Sequence, residues 1–209
     1  MTDSTIYTYA WDLGELGVAA ATTQFRQHGI GGVTLATAYH AGKFLRPHGV
    51  GGKVYFPQDG TVYFRPEMPR YGEIKPLESD VTQQHDVLAE LVATGVPTTA
   101  WMVLNHNSRI GMAHPRQAVA NAFGDRYIYS LCPANPAVRS YGIALCKDLT
   151  DHYGVAGVAL ETPGFLPYAH GYHHEFALVK SNPWLENLLG LCFCEHCMAG
   201  AQAAGIDAE

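Results

Sequence analysis

Positive charge is scarce in this sequence. Its 209 residues carry 13 Lys and Arg against 19 Asp and Glu, a formal charge of -6. Nucleic-acid binders draw their affinity from Lys and Arg clustered against phosphates. No basic run or RNP-like aromatic motif is present, so no nucleic-acid partner is expected. Long apolar runs are missing too: nothing approaches the roughly 18 residues that a membrane-spanning helix needs. The start, Met1-Thr2-Asp3-Ser4-Thr5, has neither the basic nor the apolar part of a secretory leader, so a cytoplasmic protein without membrane contact is expected. Cysteines number five, an odd and unevenly placed set that suits reduced thiols better than a disulfide framework. A Gly-rich phosphate loop is also absent after the first strand, where Asp12-Leu13-Gly14-Glu15-Leu16-Gly17 departs from G-x-G-x-x-G.

What is there alternates between two periods. The β-branched and aromatic run 6–11 predicts a strand ending at Asp12, followed by a helix over 14–28 closed by Gly29. Residues 32–39 predict a second strand with His40 at its end. The excursion 41–77 contains Val54-Tyr55-Phe56 and Val62-Tyr63-Phe64 around an Asp59-Gly60 turn, which predicts a β-hairpin. A helix from Asp80 to Gly95 presents Val87, Leu88, Leu91 and Val92 as one stripe, and a third strand covers 98–104. After a second long loop, Asn135-Pro136 reads as an N-cap and first helical residue. The apolar run 155–160 predicts a strand buried on both faces, ending at Glu161. Strand-to-helix loops are long and helix-to-strand joints short, the asymmetry of a (β/α)8 TIM barrel. Such a barrel takes about 250 residues or more. The chain is therefore expected to cover the first four βα units of one barrel domain spanning 1–209, incomplete at its C-terminus. It would need its missing C-terminal half or pair as a homo-oligomer.

The stretch 191–197 places Cys192, Cys194 and Cys197 within six residues as Cys-x-Cys-x-x-Cys. Thiolates this close usually share one metal ion, and zinc favours such sulfur-rich tetrahedral sites. Topology selects the fourth ligand: Cys132 lies in the neighbouring strand-to-helix loop on the same face, whereas Cys146 falls in mid-helix. His196, His173 and His174 are the competing ligands. Four thiolates leave no open position, so the expected zinc is structural and staples the loop 162–200. Chemistry is then expected at the strand ends, where Asp12, His40, Asn105, His106 and Glu161 face one crevice, with Tyr39 among aromatic rings suited to sugars. A carboxylate directly after an apolar strand is costly to ionise unless paired, the condition of a general acid at neutral pH. Glu161 is the catalytic candidate, and the others would contact a carbohydrate substrate.

Together these residues resemble the glycosidase-like TIM barrels, notably the zinc-containing β-galactosidases of family 42 and related glycosyl hydrolases. There an acid on strand four precedes a Cys-x-Cys-x-x-Cys knot completed by one upstream cysteine. The matching positions are Glu161, then Cys132 with Cys192, Cys194 and Cys197, and the resemblance spans about residues 98–200. It implies hydrolysis of O-glycosyl bonds with Glu161 as acid/base. Leu160 stands where those enzymes carry Asn, and no second carboxylate is evident: Asp12 and Glu175 are the available partners. Two other functions compete. One is a carbohydrate-binding or scaffold half-barrel without catalysis. The other is a zinc deaminase, in which His173 and Glu175 with the later cysteines would imitate H-x-E…C-x-x-C.

Overall fold

The computed structural model describes residues 4–208; Met1 to Asp3, part of the stretch examined for a leader, and Glu209 lie outside the described residues. The first βα unit consists of strand β1 (Thr5–Tyr9) and helices α1 (Ala10–Leu16) and α2 (Val18–Gln27). Strand β2 (Gly32–Tyr39) leads into short strands β3 (Phe44–Leu45), β4 (Val54–Tyr55) and β5 (Thr61–Val62), then helices α3 (Asp80–Gln84) and α4 (Val87–Ala93). Strand β6 (Thr98–Val103) is followed by helix α5 (Ser108–Ala113), strands β7 (Ala118–Ala120) and β8 (Arg126–Leu131), and helix α6 (Pro136–Lys147). Strand β9 (Gly157–Glu161) and helices α7 (Pro183–Gly190) and α8 (Glu195–Ala203) complete the order. No helix among the described residues is long and apolar enough to cross a membrane.

The core is a mixed α/β arrangement on a parallel sheet. β1, β2, β6 and β9 lie side by side in chain order, all parallel, with the register Tyr9↔Ala36↔Trp101↔Ala159 across them. Alternation divides each strand between two faces. Val33, Leu35, Ala100 and Met102 point into one hydrophobic core with Leu88, Leu91, Val138 and Leu145 of the helices. The opposite face carries Tyr7, Thr34, Trp101, Ala159 and Glu161, and Tyr7 is 63% exposed there. Helices thus cover one face, and the other opens towards solvent.

Caps fall where side chains satisfy the first helical N–H groups. Asn135 accepts from Ala137 N at 2.8 Å ahead of Pro136, and Asp86 accepts from Ala89 N at 3.0 Å. Gly29, Gly95 and Gly154 all adopt positive φ at the ends of their helical segments, as the sequence implies.

Several expectations are corrected. The first strand stops at Tyr9 instead of running to Trp11, so Asp12 sits inside α1. The helix that follows is broken at Gly17, whose φ of 82° is outside the helical range. The expected hairpin does not form: β4 pairs with β3, and β5 adds antiparallel to β2 through Ala38↔Val62. The helix expected from Asp80 to Gly95 divides into α3 and α4, and Ser79 caps the first, its hydroxyl accepting from Thr82 N. Strand β9 is not buried on both faces; it is an edge, with Val158 37% and Leu160 46% exposed. The second long loop, before Asn135, is not irregular: it holds α5 and the β7–β8 hairpin. Gly111 lets α5 press on β8, since a Cβ there would lie 1.7 Å from the Ile128 carbonyl oxygen.

Candidate functional site

Glu161 ends β9 on the open face, half-buried, and its Oε2 accepts a 2.6 Å hydrogen bond from the Trp101 indole. The pair follows from register: Val103 faces Glu161 across the ladder, so Trp101 is its diagonal neighbour on the same face, within reach of a large ring. The next residue, Thr162, has φ 51°, a left-handed conformation that a β-branched residue adopts only under tertiary constraint. Asn105 provides part of that constraint. It is buried, its amide donates to the carbonyls of Pro163 at 2.9 Å and Gly164 at 3.1 Å, and its N–H bonds Thr162 O at 3.2 Å. Asn105 therefore holds the turn after Glu161.

Aromatic rings line the strand ends beside this carboxylate. Tyr39 meets Trp101 edge-on at 5.2 Å and stacks on His40 at 4.5 Å, and His40 stacks on His106 at 4.6 Å. Burial, followed by contact with Tyr9, raises the Tyr39 phenol above its ordinary range, and the negative charge of Glu161 adds to the rise. Burial also lowers the pKa of His106, and the adjoining His40 lowers it further. Its Nε2 faces Gly171 O at 3.1 Å, which ties the loop after β9 to the end of β6. A small cavity of about 160 Å³ opens between His40, Asp59, His106, Ser108, His170 and His173.

Asp12 is drawn away from this group. Its Oδ1 pairs with Arg46 Nε at 2.6 Å and His48 Nε2 at 3.1 Å, and Arg46 also bridges to Glu15. Glu175 is committed as well: its Oε1 accepts from Gly171 N at 3.1 Å and Tyr172 N at 3.0 Å. Both carboxylates are thus engaged by these partners. Asp59, in contrast, reaches the His40 cavity and accepts from Ala41 N at 2.9 Å. The sequence marked Asp59 only as turn chemistry, because the fold of 41–77 that brings it back to β2 is long-range.

Four cysteines converge away from the strand ends. The sulfurs of Cys132, Cys192, Cys194 and Cys197 lie within 4.8 Å of one another, close enough to hold one metal ion. Cys132 Sγ is 3.5 Å from Cys194, 3.6 Å from Cys197 and 3.8 Å from Cys192. All five cysteines are free thiols, and Cys146 stays apart in α6. Contact with Cys132 pushes the Cys192 thiol down to about 5, while burial pushes Cys197 up to about 12. Crowded thiols that redistribute protons in this way are a ready ligand set for a cation, which would replace those protons. Val119 and Ala120 of β7 pack on the cluster, and Phe193 N bonds Ala120 O at 2.6 Å, so the knot joins the β7–β8 hairpin to α8. Neither His173, His174 nor His196 belongs to this group; His173 lies at the His40 cavity instead.

No family model matches the sequence, and no curated protein matches it. Among solved structures, the chain is similar to alpha-L-fucosidase isoenzyme 2 from Paenibacillus thiaminolyticus, with a TM-score of 0.54 and 14% identity. The match covers 99% of this chain and 27% of that one. Identity this low makes the likeness one of fold alone, and the chain spans about a quarter of that protein's length.

Proposed function

We propose that this chain forms four consecutive βα units of a (β/α)8-type barrel, and that it acts on carbohydrate as a glycoside hydrolase with Glu161 as general acid/base. The barrel reading is supported by parallel strands in sequential order with helices on one face only. In a doubly wound sheet the order reverses and helices cover both faces. The observation that carries the functional reading is the Glu161–Trp101 pair. A carboxylate at the C-terminal end of a parallel strand, on the face away from the helices, is held by an indole and followed by a strained turn. Catalytic groups of barrel enzymes occupy such strand ends.

Glycoside cleavage requires an acid to protonate the leaving oxygen and a second carboxylate about 5–10 Å away. Trp101 would fix the Glu161 carboxyl, and Tyr39, His40 and His106 would present ring faces and N–H groups to sugar hydroxyls. Asp59, which lines the His40 cavity, would serve as the second acid in place of Asp12 and Glu175. The test uses aryl glycosides: Glu161→Gln should lower turnover by at least about a hundredfold, the lower end of general-acid contributions, with no change in folding. Unchanged turnover would refute the assignment.

The engagement of Asp12 and Glu175 elsewhere favours a second reading, in which the open face binds sugar without cleaving it. Sugar binding by NMR with no turnover on any glycoside would establish that alternative. The deaminase arrangement has no comparable support, because the cysteines assemble without His173.

The metal is proposed to be structural zinc. A tetrahedral site with Zn–S bonds of about 2.3 Å has sulfur–sulfur edges of about 3.8 Å. The separations of 3.5 to 3.8 Å around Cys132 fit that figure. With all four positions taken by sulfur, the ion would staple loops and take no part in the reaction.

A further inference from the structure

Beyond the Glu161 face lies a larger groove of about 810 Å³ between β8, the loop 168–181 and α7. That volume is within the roughly 300–1,000 Å³ typical of ligand sites. Its floor is aromatic. Tyr127 and Tyr129 project from the same side of β8 with rings 5.9 Å apart and 8° from parallel. Tyr168 approaches Tyr127 at 5.9 Å and Tyr172 approaches Tyr129 at 6.0 Å. Gly171 crosses so close to Tyr129 that a Cβ there would lie 2.3 Å from the ring, so this loop seats directly on the platform.

The platform is joined to the crevice by rings alone. Trp101, Tyr39, His40, His106, Tyr129, Tyr127 and Tyr168 form an unbroken path whose steps measure 4.5 to 6.3 Å. The rim is polar and offers acceptors. Glu175 uses Oε1 on the loop amides and Glu186 uses Oε1 on the Ser181 hydroxyl, which leaves one carboxylate oxygen on each. Arg126, the cation of the rim, places Nη1 on the carbonyls of Ala118 and Arg116 and keeps its charge.

We propose that this groove is an extended binding site for a neutral oligosaccharide whose end unit reaches the Glu161 crevice. Sugar rings place C–H faces on aromatic rings and hydroxyls on carboxylate oxygens, and this groove supplies both along one line. An anionic chain would meet two carboxylates, Glu175 and Glu186, against the single guanidinium of Arg126. A purely apolar ligand would leave those carboxylates without hydrogen-bond partners. The inference rests on the carbohydrate reading of Glu161 and deepens it: the substrate is a chain of several units, not a lone monosaccharide.

The full chain, loaded with zinc, would be titrated with neutral xylo-, gluco- and galacto-oligosaccharides of two to six units, read by saturation-transfer NMR and calorimetry. In the series that binds, affinity should rise with chain length. Each of Tyr168→Ala and Tyr172→Ala, at rings 37% and 53% exposed, should remove about two- to tenfold of that gain. Retention of the native unfolding midpoint shows that these variants fold, and Tyr129→Ala tests the centre of the platform. Affinity that is flat with length, or a length effect that survives the tyrosine variants, overturns the groove and leaves the Glu161 reading standing. Failure of every series to bind overturns both.

Discussion

The cysteine cluster supports the most quantitative prediction. Cys132 is the common vertex of its short sulfur contacts, at 3.5, 3.6 and 3.8 Å, and is fully buried. Cys132→Ser removes a soft ligand where water has no access to substitute, so the remaining three thiols should hold zinc far more weakly. With free zinc about a thousandfold above its dissociation constant, binding adds about 4 kcal/mol to folding. For a domain of this size each kcal/mol moves the unfolding midpoint by about 2–4 °C. Chelation should therefore lower the midpoint by roughly 8–16 °C. Cys132→Ser should mimic chelation, and Cys146→Ser, away from the cluster, should leave zinc untouched. Calorimetric melts with and without chelator, beside zinc measured by colorimetric release, check this. One zinc per chain is expected, held against alkylation of its thiols. A midpoint indifferent to chelator, or a Cys132→Ser protein with full zinc and an unchanged midpoint, would refute the reasoning.

Three further outcomes are expected. Thr162→Gly should stabilise the fold by about 1 kcal/mol in urea unfolding. It relieves a left-handed β-branched residue and removes a buried hydroxyl without a partner, against the chain-entropy cost of glycine; it should also slow turnover by freeing the turn that aims Glu161, and a loss of stability would count against strain at this site. Tyr71→Phe should cost about 1.5–3 kcal/mol by the same assay, because its hydroxyl donates at 2.8 Å to Asp148, a fully buried carboxylate. His106 carries a lowered pKa in the folded state, so on acidification below about pH 6.5 the unfolded chain takes up its proton first. Its stability contribution is then intact at neutral pH and falls through the window from about 6.5 down to the folded pKa; urea midpoints between pH 7.5 and 5 should show that slope in the native protein and lose it in His106→Asn.

What the sequence disclosed was whatever depends on near neighbours. Period and caps located the four parallel strands, and Gly29, Gly95 and Gly154 stop their helical segments because only the backbone at that point decides a positive φ. Cys192, Cys194 and Cys197 were visible for the same reason, as spacing along the chain. Cys132 needed one step more, the inference that adjacent strand-to-helix loops share a face, and the convergence of four sulfurs accords with it. Features that depend on which strand pairs with which were out of reach. The Asp59-Gly60 turn is real, but Val62 finds Ala38 of β2 and not Tyr55, because pairing onto an existing sheet buries Val62 completely. The apolar run 155–160 looked doubly buried, yet edge placement exposes Val158 and Leu160, since burial of a strand is set by neighbours it does not encode. Glu161 illustrates both limits together. Its position at a strand end follows from local pattern, but its partner follows from register: had β9 slipped by one residue against β6, the carboxylate would turn to the helix-covered face and lose the Trp101 indole. The chemistry proposed for Glu161 thus depends on a ladder whose alignment goes with the packing of Ala100 and Met102 into the core, on the opposite face of the same sheet.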